Sequence, residues 1–135
     1  MIPKFRIAFK NKTIGEVGSI DFVDETVTIP VYDKLDGEYL GDNVYGLNQV
    51  TLIQSTGLFD NSMPKKEIFE HDIVEWEHKD TGQLVRGIVK YDTELGFWGM
   101  TDARFNDLTA IGYLANQRVT VLGNIYQNKE LVEEK

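Results

Sequence analysis

Three stretches constrain the fold of this chain more than any others: Glu67-Ile-Phe-Glu-His-Asp-Ile-Val-Glu-Trp76, Arg86-Gly-Ile-Val-Lys-Tyr-Asp92 and Val119-Thr-Val-Leu-Gly-Asn-Ile-Tyr-Gln-Asn-Lys-Glu-Leu131. All are rich in β-branched and aromatic residues. In the first, Ile73 and Glu75 alternate with Val74 and Trp76, the period of a strand whose successive side chains point to opposite faces. Asp80-Thr81-Gly82 supplies turn chemistry, which makes 73–77 and 84–91 the two arms of a hairpin. Gly96-Phe97-Trp98-Gly99-Met100 adds a short aromatic strand or bend, and 119–125 a last strand in which Gly123-Asn124 marks a bulge or tight corner. Asn106 or Asp107 is placed to cap a short helix through Leu114, and Asn128 to cap a closing helical turn through Val132. Successive strands without a crossover helix favour an antiparallel barrel or meander over a parallel α/β layer. The expected fold is therefore mostly β with minor α. An SH3-like antiparallel barrel would span about residues 65–127, with a short helical tail at 128–135.

Residues 1–55 read as an N-terminal β extension of the same single domain. From Lys4 to Lys10, Phe5, Ile7 and Phe9 alternate with Lys4, Arg6, Ala8 and Lys10, a half-buried strand whose lysines suit an exposed edge. Asn11-Lys12 is a turn, with a returning strand from Thr13 to Val17. Ile20 and Phe22, then Val27, Ile29 and Val31, flank Asp24-Glu25 as a hairpin with its apolar side chains on one face. Pro30 has no N–H to give to a ladder and demotes the second arm to an edge. Residues 33–48 hold Asp36-Gly37, Gly41, Asp42-Asn43 and Gly46, a loop-like composition with Tyr39 and Tyr45 as anchors. A loop of that length in a compact domain is usually functional or mobile, so this segment is a candidate partner-binding surface.

Composition removes several function classes. With no cysteine, disulfides, thiolate catalysis and cysteine-ligated zinc are excluded. The N-terminus turns charged within its first residues and no run of about 18 apolar residues occurs, so a soluble, unexported protein is expected. A net charge of −8 repels phosphate backbones over most of the surface. That charge is uneven. Lys4, Arg6, Lys10 and Lys12 face no acid in residues 1–14, whereas residues 15–60 carry nine acids against Lys34 alone. A basic strand and an acidic segment of a neighbouring copy could pair, which makes Lys4, Arg6 and Lys10 candidate oligomer contacts; solvated faces that never meet are the bland alternative.

Gln54-Ser-Thr-Gly-Leu58, Lys66-Glu-Ile-Phe-Glu-His-Asp-Ile-Val74, Gly87-Ile-Val-Lys-Tyr91 and Val121 to Leu131, together with Met1-Ile-Pro-Lys-Phe-Arg6, resemble the YopX-like family of phage and prophage proteins. The resemblance touches both ends and leaves the central loops unmatched. It departs at Asp60-Asn-Ser-Met-Pro64, where the family has a compact Asp-Lys-Asn-Gly turn, and at His71, where the family has glycine. It implies a mostly β protein containing an SH3-like barrel, encoded by temperate phages, without established activity and with self-association. A cytoplasmic location in the bacterial host follows from that resemblance.

Candidate sites compete with plainer readings. Glu77-His78-Lys79, with Asp60 or Asp72 upstream, has the skeleton of a metal-dependent nuclease, in which two carboxylates hold Mg²⁺ and the lysine orients water. The pattern runs into a turn, however, and a solvated hairpin end is the expected reading. His71 and His78, seven apart on a strand, fall on opposite faces and make no metal pair. Ser55 and Thr56 lack a nearby base, and turn hydrogen bonding is expected of them. The glycines form neither a dinucleotide fingerprint nor a P-loop. Trp76, Tyr91, Phe97 and Trp98 form an aromatic set across adjacent strands, a possible platform for peptides or bases, although alternation puts at least half of them in the core. The reading is thus of a non-enzymatic accessory protein with no cofactor, binding a host or phage protein or assembling with itself. Nucleic-acid engagement is the alternative, by the aromatic face, by acidic mimicry of DNA or as the nuclease.

Overall fold

A computed structural model describes residues 4–77, 81–102, 108–110 and 118–133. The chain divides into two compact units, 1–54 and 55–135. The architecture is mostly β and antiparallel, as the alternation requires.

The first unit holds β1 (Phe5–Phe9), β2 (Lys12–Glu16), β3 (Ser19–Asp21), β4 (Thr26–Tyr32), β5 (Tyr39–Gly46) and residues 51–54 of β6 (Thr51–Phe59). Lys10 and Asn11 both adopt positive φ, 49° and 63°, the turn whose twist suits a two-residue hairpin, so the turn sits one residue earlier than expected. β1 is not the open edge its lysines suggested: Ile7 lies opposite Ile14 of β2 and Leu52 of β6, and Ala8 opposite Thr13 and Thr51. Both sides of its backbone are paired, and Ala8 is buried beside Ile7. Buried Ile7, Val27 and Ile29, with Ile14, Val17, Ile20, Tyr45, Leu47, Val50 and Leu52 packed against them, form this unit's core. Each fully buried aliphatic side chain contributes about 1.5–3 kcal/mol.

β3, β4 and β5 form a sheet in that order, which overturns three expectations. The presumed loop after Asp33 is the strand β5, paired along β4 from Thr26↔Gly46 to Tyr32↔Tyr39. Its glycines and acids disguised an alternation of Leu40, Asp42 and Val44 with Gly41, Asn43 and Tyr45. Pro30 therefore lies on a central strand, not an edge. It is tolerated because β3 ends its register at Ser19↔Thr28, and the Thr28 carbonyl accepts from Gly18 N–H at 2.8 Å, so even-numbered β4 residues turn their backbone toward β3. The proline nitrogen thus faces the side where β3 has already stopped. Phe22 sits in the β3–β4 turn and is exposed, not on the common apolar face.

In the second unit, the rest of β6 pairs with β7 (Glu67–Phe69), followed by β8 (Asp72–Glu77), β9 (Leu84–Asp92), β10 (Phe97–Asp102), β11 (Leu108–Ala110) and β12 (Val119–Asn124). The last five form one antiparallel sheet, β11-β10-β9-β8-β12, curled as a half-barrel. Its core is Ile68, Val74, Trp76, Val85, Val89, Met100 and Val119, with Trp98 and Val121 against it. The expected helix ending at Leu114 is a strand at 108–110, and its other residues lie outside those described. The bulge at Gly123 is present, between Val121 and Gly123 opposite β8. A Cβ at Gly123 would collide with the side chain of Asn128, whose Oδ1 accepts from Asn124 N–H at 3.2 Å. Asn128 is thus occupied with the corner and makes no side-chain cap to the 3₁₀ turn Lys129–Leu131. Gly123→Ala is expected to lower stability by about 1–3 kcal/mol in a denaturant titration, because overpacking forces the corner to shift.

Candidate functional site

The residues with the most chemical potential are engaged in holding the fold. Asp60 is 1% exposed. Its Oδ1 accepts from Ser62 N–H (3.1 Å), the Ser62 hydroxyl (2.6 Å) and Lys66 N–H (2.8 Å), and its Oδ2 accepts from Val121 N–H (3.0 Å). Asn61 extends the pattern, its N–H donating to Val119 carbonyl and its Oδ1 accepting from Val119 N–H, both at 2.9 Å. The Asp60-Asn61 segment therefore covers the outer edge of β12, with side-chain oxygens doing what a neighbouring strand's carbonyls would do. Burial alone would raise the Asp60 carboxyl, but the Ser62 hydroxyl and the N–H groups of Val121, Lys66 and Ser62 together hold it below the ordinary carboxylate value.

The other proposed nuclease ligands fare similarly. Asp72 is buried and accepts from Phe69 N–H at 2.8 Å across the β7–β8 turn. Glu77 is exposed at the end of β8, and His78 and Lys79 lie outside the described residues. No group of three metal-ligating side chains occurs among the described residues. Ser55 and Thr56 lie within β6 and not in the expected turn, at its register shift against β7: Ser55 Oγ accepts from Gly57 N–H at 3.0 Å, and the Thr56 hydroxyl donates to Ile68 carbonyl at 2.8 Å. His71 stands at the β7–β8 turn with φ 68°, the left-handed conformation that glycine adopts without strain. Its Nδ1 lies 2.7 Å from the Tyr126 hydroxyl, and its N–H donates to Val89 carbonyl. Burial, then the nearby Glu70, raise the Tyr126 hydroxyl above its usual range.

The aromatic candidates separate into different places. Trp76 is 4% exposed and belongs to the core, because its position on β8 faces inward with Val74 and Val85. Tyr45 is also partly buried, packed on Phe9 with ring centroids 5.4 Å apart in the first unit. Tyr91 and Trp98 face each other across β9 and β10 edge-to-face at 5.2 Å, with Tyr91 46% exposed and Trp98 and Phe97 partly buried. Lys10 holds its ammonium over the Phe9 ring at 5.2 Å, and Lys4 and Arg6 both have partners.

Among the described residues, several exposed apolar side chains gather on the β3–β4–β5 sheet and its turns. Val27 and Ile29 face the core, so Thr28, Pro30 and Tyr32 face outward, with Val44 opposite Thr28 and Asp42 opposite Pro30. A register shift after Val31 skips Leu40 and sets Tyr39 opposite Tyr32, their ring centroids 5.9 Å apart. The nearby Asp42 carboxylate is the first of the causes that raise the Tyr39 hydroxyl above its usual range. At the tip, Asp33 accepts from Leu35 N–H (2.8 Å) and Asp36 N–H (3.2 Å), which hold its carboxyl below the ordinary value. This turn leaves Leu35 98% exposed; Tyr32, Tyr39, Leu40 and Val44 are also exposed. Sequence reasoning singled out Tyr39 but missed Leu35, Leu40, Val44 and Tyr32. The alternation along β5 is a signal for Leu40 and Val44; Leu35 in the turn and Tyr32 on β4 have none in it.

The fold and these surfaces define a mostly β scaffold in which Asp60 and Asp72 are buried. The sequence profile of the YopX protein family matches residues 4–133, and the chain belongs to that family. Two solved structures share the fold. Protein yopX from Bacillus subtilis is 19% identical with a TM-score of 0.60, covering 96% of this chain and 98% of its own. Protein EF1440 from Enterococcus faecalis is 24% identical with a TM-score of 0.62, covering 98% and 99%. No curated protein matches the chain.

Proposed function

We propose that this chain is a non-catalytic docking module, a phage or prophage accessory protein that acts in the bacterial cytoplasm by holding another protein. The observation that carries this reading is the outward face of β3–β4–β5, where Tyr32, Tyr39 and Val44 stand in solvent, with Leu35 exposed in the adjoining turn and Leu40 exposed at the register shift. Exposed apolar side chains gathered on one face mark an interaction site. In contrast, Asp60 and Asp72 have their carboxylate oxygens taken up by backbone donors. A photo-crosslinking amino acid at position 35 or 44, against the same probe at exposed Leu95 in the second unit, tests the reading in host cells. Adducts of one defined mass from 35 and 44 but not 95 support it; adducts from none of the three, or equally from all, overturn it.

Self-association belongs to the same reading, and the exposed turn at Lys10 offers a contact. Light scattering at high concentration is expected to give a multiple of the 15.4 kDa chain mass; a monomer contradicts this part. A second reading rests on the half-exposed Tyr91 against Trp98, on which a single-stranded base could stack. It requires an affinity that falls steeply with salt and is lost in Tyr91→Ala. The nuclease alternative requires Mg²⁺-dependent plasmid cleavage that Lys79→Ala abolishes, and none is expected.

A further inference from the structure

The docking reading leaves open what the β3–β4–β5 face receives. The Tyr32 and Tyr39 rings lie tilted at 59° with centroids 5.9 Å apart, both exposed, at one end of this face. Asp42 stands on β5 opposite Pro30, on the same outward face as the rings, and its carboxylate is near enough to the Tyr39 hydroxyl to raise it above its usual range. Around them, residues 32–46 carry Asp33, Asp36, Glu38 and Asp42 against Lys34 alone. Pro30, opposite Asp42, and Val44, opposite Thr28, continue the face with apolar surface.

These features fit one side chain better than others. A planar guanidinium stacks on aromatic rings and at the same time donates to a carboxylate at its edge, whereas an ammonium is a more strongly hydrated point charge that lacks the planar fork. A second copy of this chain is a poor occupant of the same face. Its own β3–β4–β5 sheet carries the same acids, and its basic strand β1 is paired on both sides, with Lys4 and Arg6 already partnered.

We propose that the outward face of β3–β4–β5 docks a segment of another protein through an arginine, whose guanidinium lies on Tyr32 and Tyr39 and pairs with Asp42, with an apolar neighbour resting on Pro30 and Val44. The proposal rests on the docking reading and names its partner class. It also assigns the acidic excess of the first unit a role, drawing a basic segment in before the arginine seats.

The test uses the full chain and three fluorescent twelve-residue peptides of one sequence alternating valine and serine, with two central arginines replaced by lysine in the second and by neutral, isosteric citrulline in the third. Anisotropy is expected to give binding of the arginine peptide at least about threefold tighter than the lysine peptide, and none of the citrulline peptide, since ring stacking adds to charge. Tyr39→Leu and Asp42→Asn, both on an exposed face and expected to leave the thermal melt unchanged, each weaken the arginine peptide at least about threefold. Equal binding of arginine and lysine peptides, or indifference to Tyr39→Leu, reduces the effect to bulk charge and overturns the proposal. So does absence of binding at millimolar peptide. Concentration-dependent nuclear magnetic resonance shifts at Tyr39 and Val44 in the protein alone would give the face to a second copy, also overturning it. The crosslinks from positions 35 and 44 separate the two levels: if they persist while the peptides fail, docking stands and arginine recognition falls.

Discussion

Asp60→Ala is expected to lower the unfolding free energy by about 3–5 kcal/mol, because a buried carboxylate accepting several hydrogen bonds is replaced by an apolar stub that leaves its donors unmatched. The donors left behind are Val121 N–H on the outer edge of β12, Lys66 N–H, and both groups of Ser62. Asp60→Asn keeps the shape and the Oδ1 acceptor but turns an amide NH₂ toward Val121 N–H, and is expected to lose about 1–2 kcal/mol at neutral pH. The effect is pH-dependent with a definite sign. The folded carboxyl titrates below its ordinary value of 3.8, so its contribution is fully present above that value and is lost as pH falls through the lower folded value. The stability gap between wild type and Asp60→Asn therefore narrows on acidification below about pH 4. Denaturant titrations of both chains at neutral pH and between pH 2 and 4 read both statements.

Gly87→Ala is expected to cost about 2–4 kcal/mol, since an inserted methyl in a tight site must displace its neighbours. A Cβ there would strike the carbonyl of Thr101 on β10 and stand 2.8 Å from Cη2 of Trp76. Gly87 pairs with Val74 on one side and Asp102 on the other, so the residue sits mid-sheet where backbone cannot retreat. Because the nearest obstacle is backbone, trimming Trp76 does not restore the loss. A melt of the Gly87→Ala, Trp76→Leu double variant that returned toward wild type would show that the indole, not β10, sets the limit.

The same residues show why part of the structure was legible in the sequence and part was not. The β8–β9 hairpin and β12 were readable because strong β formers alternate between clear turn signals, and Gly123 announced its bulge. β1 was misjudged as an edge because alternation identifies a strand but not its neighbours; Ala8, too small to declare a side, is buried between two partners. β5 was hidden because glycine and aspartate lower strand propensity, and only pairing along β4 overrides it. The strand at 108–110 displaced an expected helix for a related reason: an apolar spacing over so few residues fits either period. Of the candidate site, Tyr39 was legible as an anchor, yet its meeting with Tyr32 depends on a register shift that no local pattern encodes. Trp76 looked like a surface platform in one dimension and is core in three. Asp60 reads in the sequence as a metal ligand or as part of a turn and not as a cover for β12, because that covering joins residues 61 positions apart.

The account stands most directly on where this protein touches others. A photo-crosslinking residue introduced in turn at positions 35, 44, 63 and 95, each exposed and spread over both units, measures that in living host cells. The account predicts a single partner adduct from 35 and 44 that disappears with Tyr39→Leu. An adduct that forms only from 63 or 95, or one from 35 and 44 that ignores Tyr39, would contradict it.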